Sequence, residues 1–231
     1  MKSWTTAEIK AKISSIPVWY HQIEVAPGLI TPGVHASAIA LQRLELPDDC
    51  RGLRVLDIGA RDGFFSFEME RRGADVLAMD HVPPDQTGFA VAAELVGSRV
   101  PYKTANVYDL DDSWGQFDIV LFLGVLYHLR NPLLALDKIR AVCSGRMWLE
   151  SHVMTDSKSV PLARFYPRDE LNKDFSNWWG PNLACLKAMV ESCNFAVESH
   201  STHADRSILR CRIAEDRQLE YFRKIERSIV S

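Results

Sequence analysis

The fold is decided by residues 53–80, which read LRVLDIGARDGFFSFEMERRGADVLAMD. The apolar runs at its two ends, RVLDIG and DVLAMD, are typical of strands that are buried on both faces. The segment between them has helical periodicity, with Gly63 at its start and Gly73 just past its end. This stretch therefore predicts a β-α-β unit with parallel strands and a right-handed crossover.

The same alternation continues along the chain. The sequence predicts helices over residues 89–97 and 132–143, and strands within 100–110, 117–123 and 145–153. An amphipathic helix then ends near Asn194, a strand pair follows over 195–203 and 207–216, and residues 216–230 have a helix-like pattern. Strands separated by helices of 10–15 residues predict an α/β fold with a doubly wound, mostly parallel sheet.

The N-terminal part of the chain has a different character. A helix is predicted from Thr5 to Ser15, capped by Thr5 or Thr6 and ended by Pro17. Residues 16–33 are rich in aromatic side chains and broken by three prolines, which predicts a structured loop with short extended pieces. We therefore divide the chain into an N-terminal helix and lid segment, residues 1–50, and a main α/β domain, residues 51–231.

Composition limits the function classes. The 231 residues are 47% hydrophobic and 25% charged, as expected for a globular protein with one large domain and at most a small appendage. A net charge of −3 weighs against a large nucleic-acid surface, which usually needs a basic excess. Five scattered cysteines indicate reduced thiols, and no segment has the apolar core of a secretion signal or a membrane span. We expect a cytoplasmic protein with no membrane partner.

Candidate ligand-binding residues follow the predicted strands, where ligands bind in doubly wound sheets. The turn Asp57–Gly63 carries two glycines, but its spacing differs from the dinucleotide pattern, because positions 61 and 64 are Arg and Phe. Asp80 lies 23 residues after Asp57, at a spacing that suits a carboxylate accepting ribose hydroxyls. The predicted cofactor-binding residues are Asp57, Gly59, Ala60, Arg61, Gly63, Asp80, His81, Asn106, Val107, Leu123 and Tyr20.

Taken together, these residues resemble class I S-adenosylmethionine-dependent methyltransferases across residues 53–153, and the block FDIVLFLGVLYH at 117–128 strengthens the resemblance. The resemblance implies a seven-stranded Rossmann-like sheet, S-adenosyl-L-methionine as cofactor, and a fourth strand whose loop faces the methyl acceptor. Residues 18–33, 124–132 and 177–195 are similar to the subfamily labelled tRNA wobble-uridine methyltransferase-like. That label comes from a bacterial enzyme that carboxymethylates 5-hydroxyuridine with carboxy-S-adenosylmethionine.

One departure from that enzyme bears on the cofactor. A carboxylated donor needs a paired cation, because a buried unpaired charge is costly. Residues 16–33 contain no Lys or Arg and only one histidine, His21. We therefore expect ordinary S-adenosylmethionine and O- or N-methylation of a small or medium-sized acceptor. The alternatives are a tRNA wobble-uridine (carboxy)methyltransferase, a regulatory cofactor-binding subunit and a nicotinamide-dependent oxidoreductase.

His128 is the predicted general base, because histidine titrates near neutral pH, and Tyr127 is predicted beside it at the reacting centre. The open alternative is that His128 caps its loop or forms a hydrogen bond with a backbone carbonyl. The predicted acceptor-binding residues are Trp19, His21, Glu150, His152, Trp178, Trp179 and Asn182, with core packing as the alternative for the aromatic ones. The sequence carries no metal-binding signature, so no metal is expected. The oligomeric state is left open.

Overall fold

The computed structural model describes residues 4–155 and 159–214. The helix-like pattern predicted for residues 216–230 lies outside the described residues. The chain divides after Asp109 into two compact units. The predicted boundary at residue 50 therefore stays a prediction. Among the residues that the structure describes, no helix combines the length and the apolar character needed to cross a membrane.

The first unit begins with helix α1, Thr6–Ser14. Thr5 and Glu8 form a reciprocal capping box, which confirms the predicted helix start. Strands β1, Glu24–Ala26, and β2, Leu29–Ile30, then pair antiparallel. They are the short extended pieces predicted for the proline-broken loop.

Helix α2, Ser37–Leu44, was not predicted from the sequence. Its N-cap is Ala36, which provides no side-chain hydrogen bond, and its C-cap is Glu45 at a positive φ of 50°. Helix ends are usually signalled by Ser, Thr, Asp or Asn at the start and by glycine at the end. Both signals are missing here, so the sequence gives no indication of the helix.

The rest of the first unit is the predicted β-α-β-α-β series. Its elements are β3, Arg54–Ile58; α3, Phe64–Arg71; β4, Asp75–Asp80; α4, Phe89–Val96; and β5, Tyr102–Thr104. β4 pairs parallel with both β3 and β5. Gly63 begins α3 at a φ of 93°, and a Cβ there would lie 2.4 Å from the ring of Phe67. Glycine at this position therefore allows both the turn and the close approach of the helix.

The second unit contains β6, Phe117–Leu123; α5, Pro132–Val142; β7, Cys143–His152; β8, Ala163–Phe165; β9, Trp179–Pro181; α6, Leu183–Ser192; β10, Phe195–His203; and β11, Arg206–Ile213. All but β8 and β9 were predicted. These two strands pair antiparallel over only three residues each. So short a run carries no alternating pattern from which a strand could be predicted.

Seven strands form one sheet in the order β10-β11-β7-β6-β3-β4-β5. Neighbouring strands run parallel at β3–β4, β4–β5 and β6–β7. They run antiparallel at β7–β11 and β11–β10. The predicted α/β fold with a mostly parallel seven-stranded sheet is confirmed.

Candidate functional site

In the first unit, the turn after β3 is bound to the end of β4 by main-chain hydrogen bonds. The N–H groups of Gly59 and Ala60 both donate to the Met79 carbonyl, at 2.8 and 3.0 Å. Gly59 has a φ of 77°, Arg61 a φ of 51° and Gly63 a φ of 93°, so the turn uses the left-handed region three times. That region is uncommon for a residue other than glycine, and such residues concentrate at ligand sites. The glycine-containing turn and the end of β4 are therefore adjacent, as predicted.

Asp80 is the last residue of β4 and lies beside this turn. Its Oδ2 accepts a hydrogen bond from the Arg61 N–H at 3.1 Å, and its Oδ1 accepts one from the Val82 N–H at 3.0 Å. The exposed imidazole of His81 also approaches Oδ1, with Nδ1 at 3.0 Å. A carboxylate offers about four acceptor positions. The two main-chain bonds use two of these positions, so Asp80 orders the two neighbouring loops and keeps acceptor capacity for two ligand hydroxyls if the exposed His81 ring gives up its place.

Asp57 is turned away from solvent. It is 2% exposed, and its Oδ2 accepts a hydrogen bond from the Ser66 hydroxyl of α3 at 2.5 Å. Burial raises the pKa of Asp57 to about 6, and the bond from Ser66 opposes that rise. The side chain therefore joins β3 to α3.

The loop after β5 holds the two residues predicted to contact adenine. Val107 is buried, whereas Asn106 is exposed. The Asn106 side-chain oxygen accepts a hydrogen bond from the Tyr108 N–H at 3.1 Å. The main-chain N–H of Asn106 donates to Asp109 Oδ2 at 2.8 Å. Asn106 therefore orders a short 3₁₀ turn at this strand end.

Asp62 was not predicted as a site residue, although it is fully buried. Its Oδ2 accepts hydrogen bonds from the main-chain N–H groups of Tyr20 at 2.6 Å and His21 at 2.8 Å. Its Oδ1 accepts one from the Gly88 N–H at 2.9 Å. A single carboxylate thus anchors the aromatic N-terminal segment. No residue pattern signals this role, because all three donors are backbone groups at least 26 positions away.

Replacing Asp62 with asparagine is expected to lower the free energy of unfolding by about 2 kcal/mol, because one acceptor oxygen becomes a donor that faces buried N–H groups. Urea denaturation followed by circular dichroism measures the change. Asp85→Asn is the matched control, since Asp85 is exposed in the loop before the same Gly88. Equal stability of the two variants would contradict the anchoring role.

The aromatic residues of this segment have different environments. Trp19 is 4% exposed, donates its indole N–H to the Ile13 carbonyl at 2.9 Å, and packs on Gly88, where a Cβ would lie 2.2 Å from its ring. Tyr20 has an exposed ring that stacks on His35 at 5.2 Å between centroids. His21 is buried, and burial lowers its pKa to about 3, so its imidazole is neutral at neutral pH. The burial of Trp19 matches the core-packing alternative, whereas the exposed Tyr20 ring is accessible to a ligand.

In the second unit, a 3₁₀ turn at Leu126–His128 follows β6, which ends at the part-exposed Leu123. Tyr127 is buried, and burial raises its pKa. The guanidinium of Arg206 lies 4.6 Å from the Tyr127 ring centroid. The ring centroids of Tyr127 and His128 are 4.2 Å apart. The predicted catalytic pair is therefore in contact.

Glu150, at the end of β7, forms a two-pronged ion pair with Arg206. Nε donates to Oε1 at 2.5 Å and Nη2 to Oε2 at 2.7 Å. Arg206 begins β11 and pairs in register with His152 of the antiparallel β7. Arg206 was not predicted as a site residue, because its place beside Glu150 depends on that strand register.

His128 contacts Ser176 through its ring nitrogen Nδ1. Its Nδ1 lies 2.9 Å from the Ser176 hydroxyl and 3.2 Å from the Ser176 carbonyl oxygen. The Ser176 hydroxyl donates to Asp174 Oδ1 at 2.7 Å. The hydrogen bond to a backbone carbonyl, one of the alternatives for His128, is therefore present. It occupies Nδ1, which leaves the general-base prediction to Nε2.

The remaining residues predicted to bind the acceptor, His152, Trp178, Trp179 and Asn182, also belong to the second unit. His152 is 5% exposed, has Nδ1 3.3 Å from Asp205 Oδ2, and has a pKa lowered by burial. It lines an open cleft of about 380 Å³ together with Val153, Met154, Thr155, Arg164, Tyr166 and Asp205. Trp178 and Trp179 are part-exposed and pack with Phe165.

Asn182 is fully buried, unlike the two tryptophans. Its Oδ1 accepts hydrogen bonds from the N–H groups of Cys185 and Leu162, and its Nδ2 donates to the Val160 carbonyl. The bond from Cys185 caps α6, and the other two tie Asn182 to residues 160 and 162, so Asn182 has a structural role. Within residues 4–155 and 159–214, no three His, Cys, Asp or Glu side chains are grouped so as to hold a metal ion.

The fold and these strand-end loops define a class I methyltransferase-type α/β domain. The family model of the methyltransferase domain matches residues 35–200. That match covers more than half of the chain, and the chain belongs to this family.

Individual relatives agree with this assignment. A tRNA U34 carboxymethyltransferase of Dichelobacter nodosus is 32% identical over 68% of this chain and 50% of the relative. A ubiquinone biosynthesis O-methyltransferase of Cereibacter sphaeroides is 33% identical over 52% of this chain and 49% of the relative. The chain thus spans about half the length of the curated relatives it matches. The crystal structure of the N-terminal domain of EvdMO1 with SAH bound shares the fold, at a TM-score of 0.68 and 20% identity, over 92% of this chain and 98% of that one.

Proposed function

We propose that the chain is an S-adenosylmethionine-dependent methyltransferase that methylates an oxygen or nitrogen atom of a small or medium-sized acceptor. The observation that carries this proposal is the arrangement at Asp80. Its carboxylate is held by the N–H groups of Arg61 and Val82, directly beside the left-handed turn at Gly59. Family membership supports the same activity.

The residues of the first unit fit an adenosyl donor. Asp80 keeps acceptor capacity for ribose hydroxyls, and Gly59 lets the main chain approach a ligand without a side chain in the way. Val107 offers an apolar face to adenine, and the Asn106 amide or main chain offers edge contacts. The proposed contact residues are Asp57, Gly59, Ala60, Arg61, Gly63, Asp80, His81, Asn106, Val107, Leu123 and Tyr20.

When bound, S-adenosylmethionine supplies a methyl carbon on a positively charged sulfur, which an acceptor lone pair displaces in line. The protein's main contribution to such a transfer is alignment of the reactants. For a hydroxyl or amine acceptor, removal of a proton contributes as well, and we assign it to His128. Tyr127, Glu150, His152, Trp178 and Trp179 are proposed to line the acceptor site.

Two observations favour the ordinary donor over a carboxylated one. Residues 16–33 offer no Lys or Arg to a donor carboxylate. Arg206, the cation that lies over Tyr127, is already bonded through two nitrogens to Glu150. Its positive charge is largely offset, so an added carboxylate gains less from it.

The second candidate is a tRNA wobble-uridine modifying enzyme. The Dichelobacter relative carries that name. The Trp178 ring stacks on Phe165, which is 44% exposed, and the Arg130 guanidinium lies 4.8 Å from the Trp178 centroid. Aromatic rings with an adjacent Arg can stack on nucleobases. The net charge of −3 favours the small acceptor instead.

The test is S-adenosylhomocysteine formation by the purified chain, measured with S-adenosylmethionine or carboxy-S-adenosylmethionine as donor. Acceptors are a panel of small hydroxyl and amine compounds and, separately, total tRNA at physiological salt. We expect turnover with ordinary donor and a small acceptor. Turnover only with tRNA would establish the alternative, and failure to bind S-adenosylhomocysteine in calorimetry would overturn both.

A further inference from the structure

We propose that Ser176 and Asp174 are positioning residues that fix the ring tautomer of His128, so that Nδ1 carries the proton and Nε2 accepts one. This inference rests on the proposed function, in which His128 is the base. It goes further by naming the atom that takes the proton and the residues that select it.

The first support is the Ser176 carbonyl oxygen, 3.2 Å from His128 Nδ1. A carbonyl oxygen only accepts hydrogen bonds. A ring nitrogen at this distance from it must therefore carry a hydrogen. In a neutral imidazole one nitrogen is the donor and the other the acceptor, so a proton on Nδ1 leaves the lone pair on Nε2.

The second support is the direction of the hydroxyl bond. Ser176 Oγ has a single proton, and Asp174 Oδ1 accepts it at 2.7 Å. Towards His128 Nδ1, 2.9 Å away, the same hydroxyl oxygen can then only accept. The bond from Ser176 holds the pKa of Asp174 below its usual range, so this carboxyl is an ionised acceptor at neutral pH. Both contacts of Nδ1 thus require the same tautomer.

The third support is the way the segment is held in place. The Ser176 N–H donates to Asp174 Oδ1 at 2.8 Å, and the Trp178 N–H donates to the Tyr127 carbonyl at 2.8 Å. The buried Asn177 side chain donates to the Leu171 carbonyl at 2.8 Å. These bonds, made by Ser176 and by the two residues after it, fix the position of Ser176 relative to the His128 ring.

The tautomer has a consequence for proton transfer. When the acceptor oxygen or nitrogen forms its bond to the methyl carbon, the electron pair of the broken carbon–sulfur bond stays on sulfur. The proton that the acceptor loses goes to His128 Nε2. The imidazolium that results donates from Nδ1 to Ser176, whose hydroxyl is backed by the Asp174 carboxylate. The same contacts therefore select the base and stabilise its charged form.

Nitrogen NMR of the full chain with ¹⁵N-labelled histidine tests the tautomer without any turnover. The His128 signals are identified by their loss in His128→Asn. We expect a protonated Nδ1 and an unprotonated Nε2 in the neutral ring. The opposite pattern, with the proton on Nε2, would overturn the proposal even if the chain is an active methyltransferase. The expected pattern in a chain without activity would uphold the tautomer and reject the proposed function.

Variants then test the two positioning residues. Asp174→Ala releases the Ser176 hydroxyl to donate to Nδ1, so we expect a shift towards the Nε2-protonated form and a drop in kcat of about 10-fold, with an unchanged Kd for S-adenosylhomocysteine. Ser176→Thr keeps the hydroxyl and should retain the wild-type spectrum. Ser113→Ala is the matched control, because Ser113 makes the same hydroxyl bond to Asp111 in a turn of its own. An unchanged spectrum and kcat in Asp174→Ala would remove Asp174 from this role.

Discussion

Replacing Asp80 with alanine is expected to weaken the binding of S-adenosylhomocysteine by about a hundredfold to ten-thousandfold. In the proposed cofactor site Asp80 accepts hydrogen bonds from two ribose hydroxyls, and the variant would lose both, each contributing about 1.5–3 kcal/mol with a charged acceptor. It also loses the carboxylate that accepts from the Arg61 and Val82 N–H groups. Isothermal titration calorimetry measures the dissociation constant directly.

Two further variants separate ligand binding from loop order. Asp75→Ala removes a carboxylate at the other end of the same strand, where the side chain is 75% exposed, and should bind like the wild type. Asp80→Asn keeps one of the two acceptor oxygens for the loops, so it should lose less stability than Asp80→Ala while still binding weakly. Wild-type affinity in Asp80→Ala would remove Asp80 from the cofactor site.

Replacing His128 with asparagine is expected to lower kcat by about 10²–10⁴-fold, the usual contribution of a positioned general base. Asparagine can place its amide N–H near the position of Nδ1, so the bonds to Ser176 are kept while the accepting nitrogen is lost. The affinity for S-adenosylhomocysteine should change less than twofold. Steady-state kinetics with the best acceptor and calorimetry provide the two readouts.

His203→Asn is the matched control for this experiment, because His203 lies exposed at the end of β10. Its turnover should equal that of the wild type. Full turnover in His128→Asn would exclude proton removal by His128 and restrict its role to the hydrogen bond with Ser176.

Much of the fold could be predicted because its signals are local. The strands at 54–58 and 75–80 are apolar runs, and Gly63, Gly97 and Asn194 mark helix ends with positive φ. Helix α2 lacked such marks, and strands β8 and β9 are too short to show a period. These elements are determined by contacts with the rest of the chain, which a sequence window does not contain.

The residues of the candidate site likewise fall into those that local sequence signals predict and those that they do not. Asp80 and Gly59 were predictable, because a strand end and a glycine turn are both visible in the sequence. Asp62, Arg206 and Ser176 were not predicted, because their partners are far away in the sequence. Asp62 binds distant main-chain N–H groups, Arg206 lies beside Glu150 only through an antiparallel strand register, and Ser176 contacts the His128 ring on another loop. The amide of Asn182 was predicted to contact the acceptor, a role that stays a prediction beside the helix cap that it forms.

The anchoring of the N-terminal segment has a consequence for how this protein can change its substrate. Asp62 recognises the peptide N–H groups of residues 20 and 21, which every amino acid except proline possesses. Attachment of the segment is therefore insensitive to the side chain at position 20, whose ring is exposed. A library of Tyr20 variants can sample new contacts to the proposed methyl donor while the segment keeps its attachment, so this position is a suitable starting point for engineering donor choice.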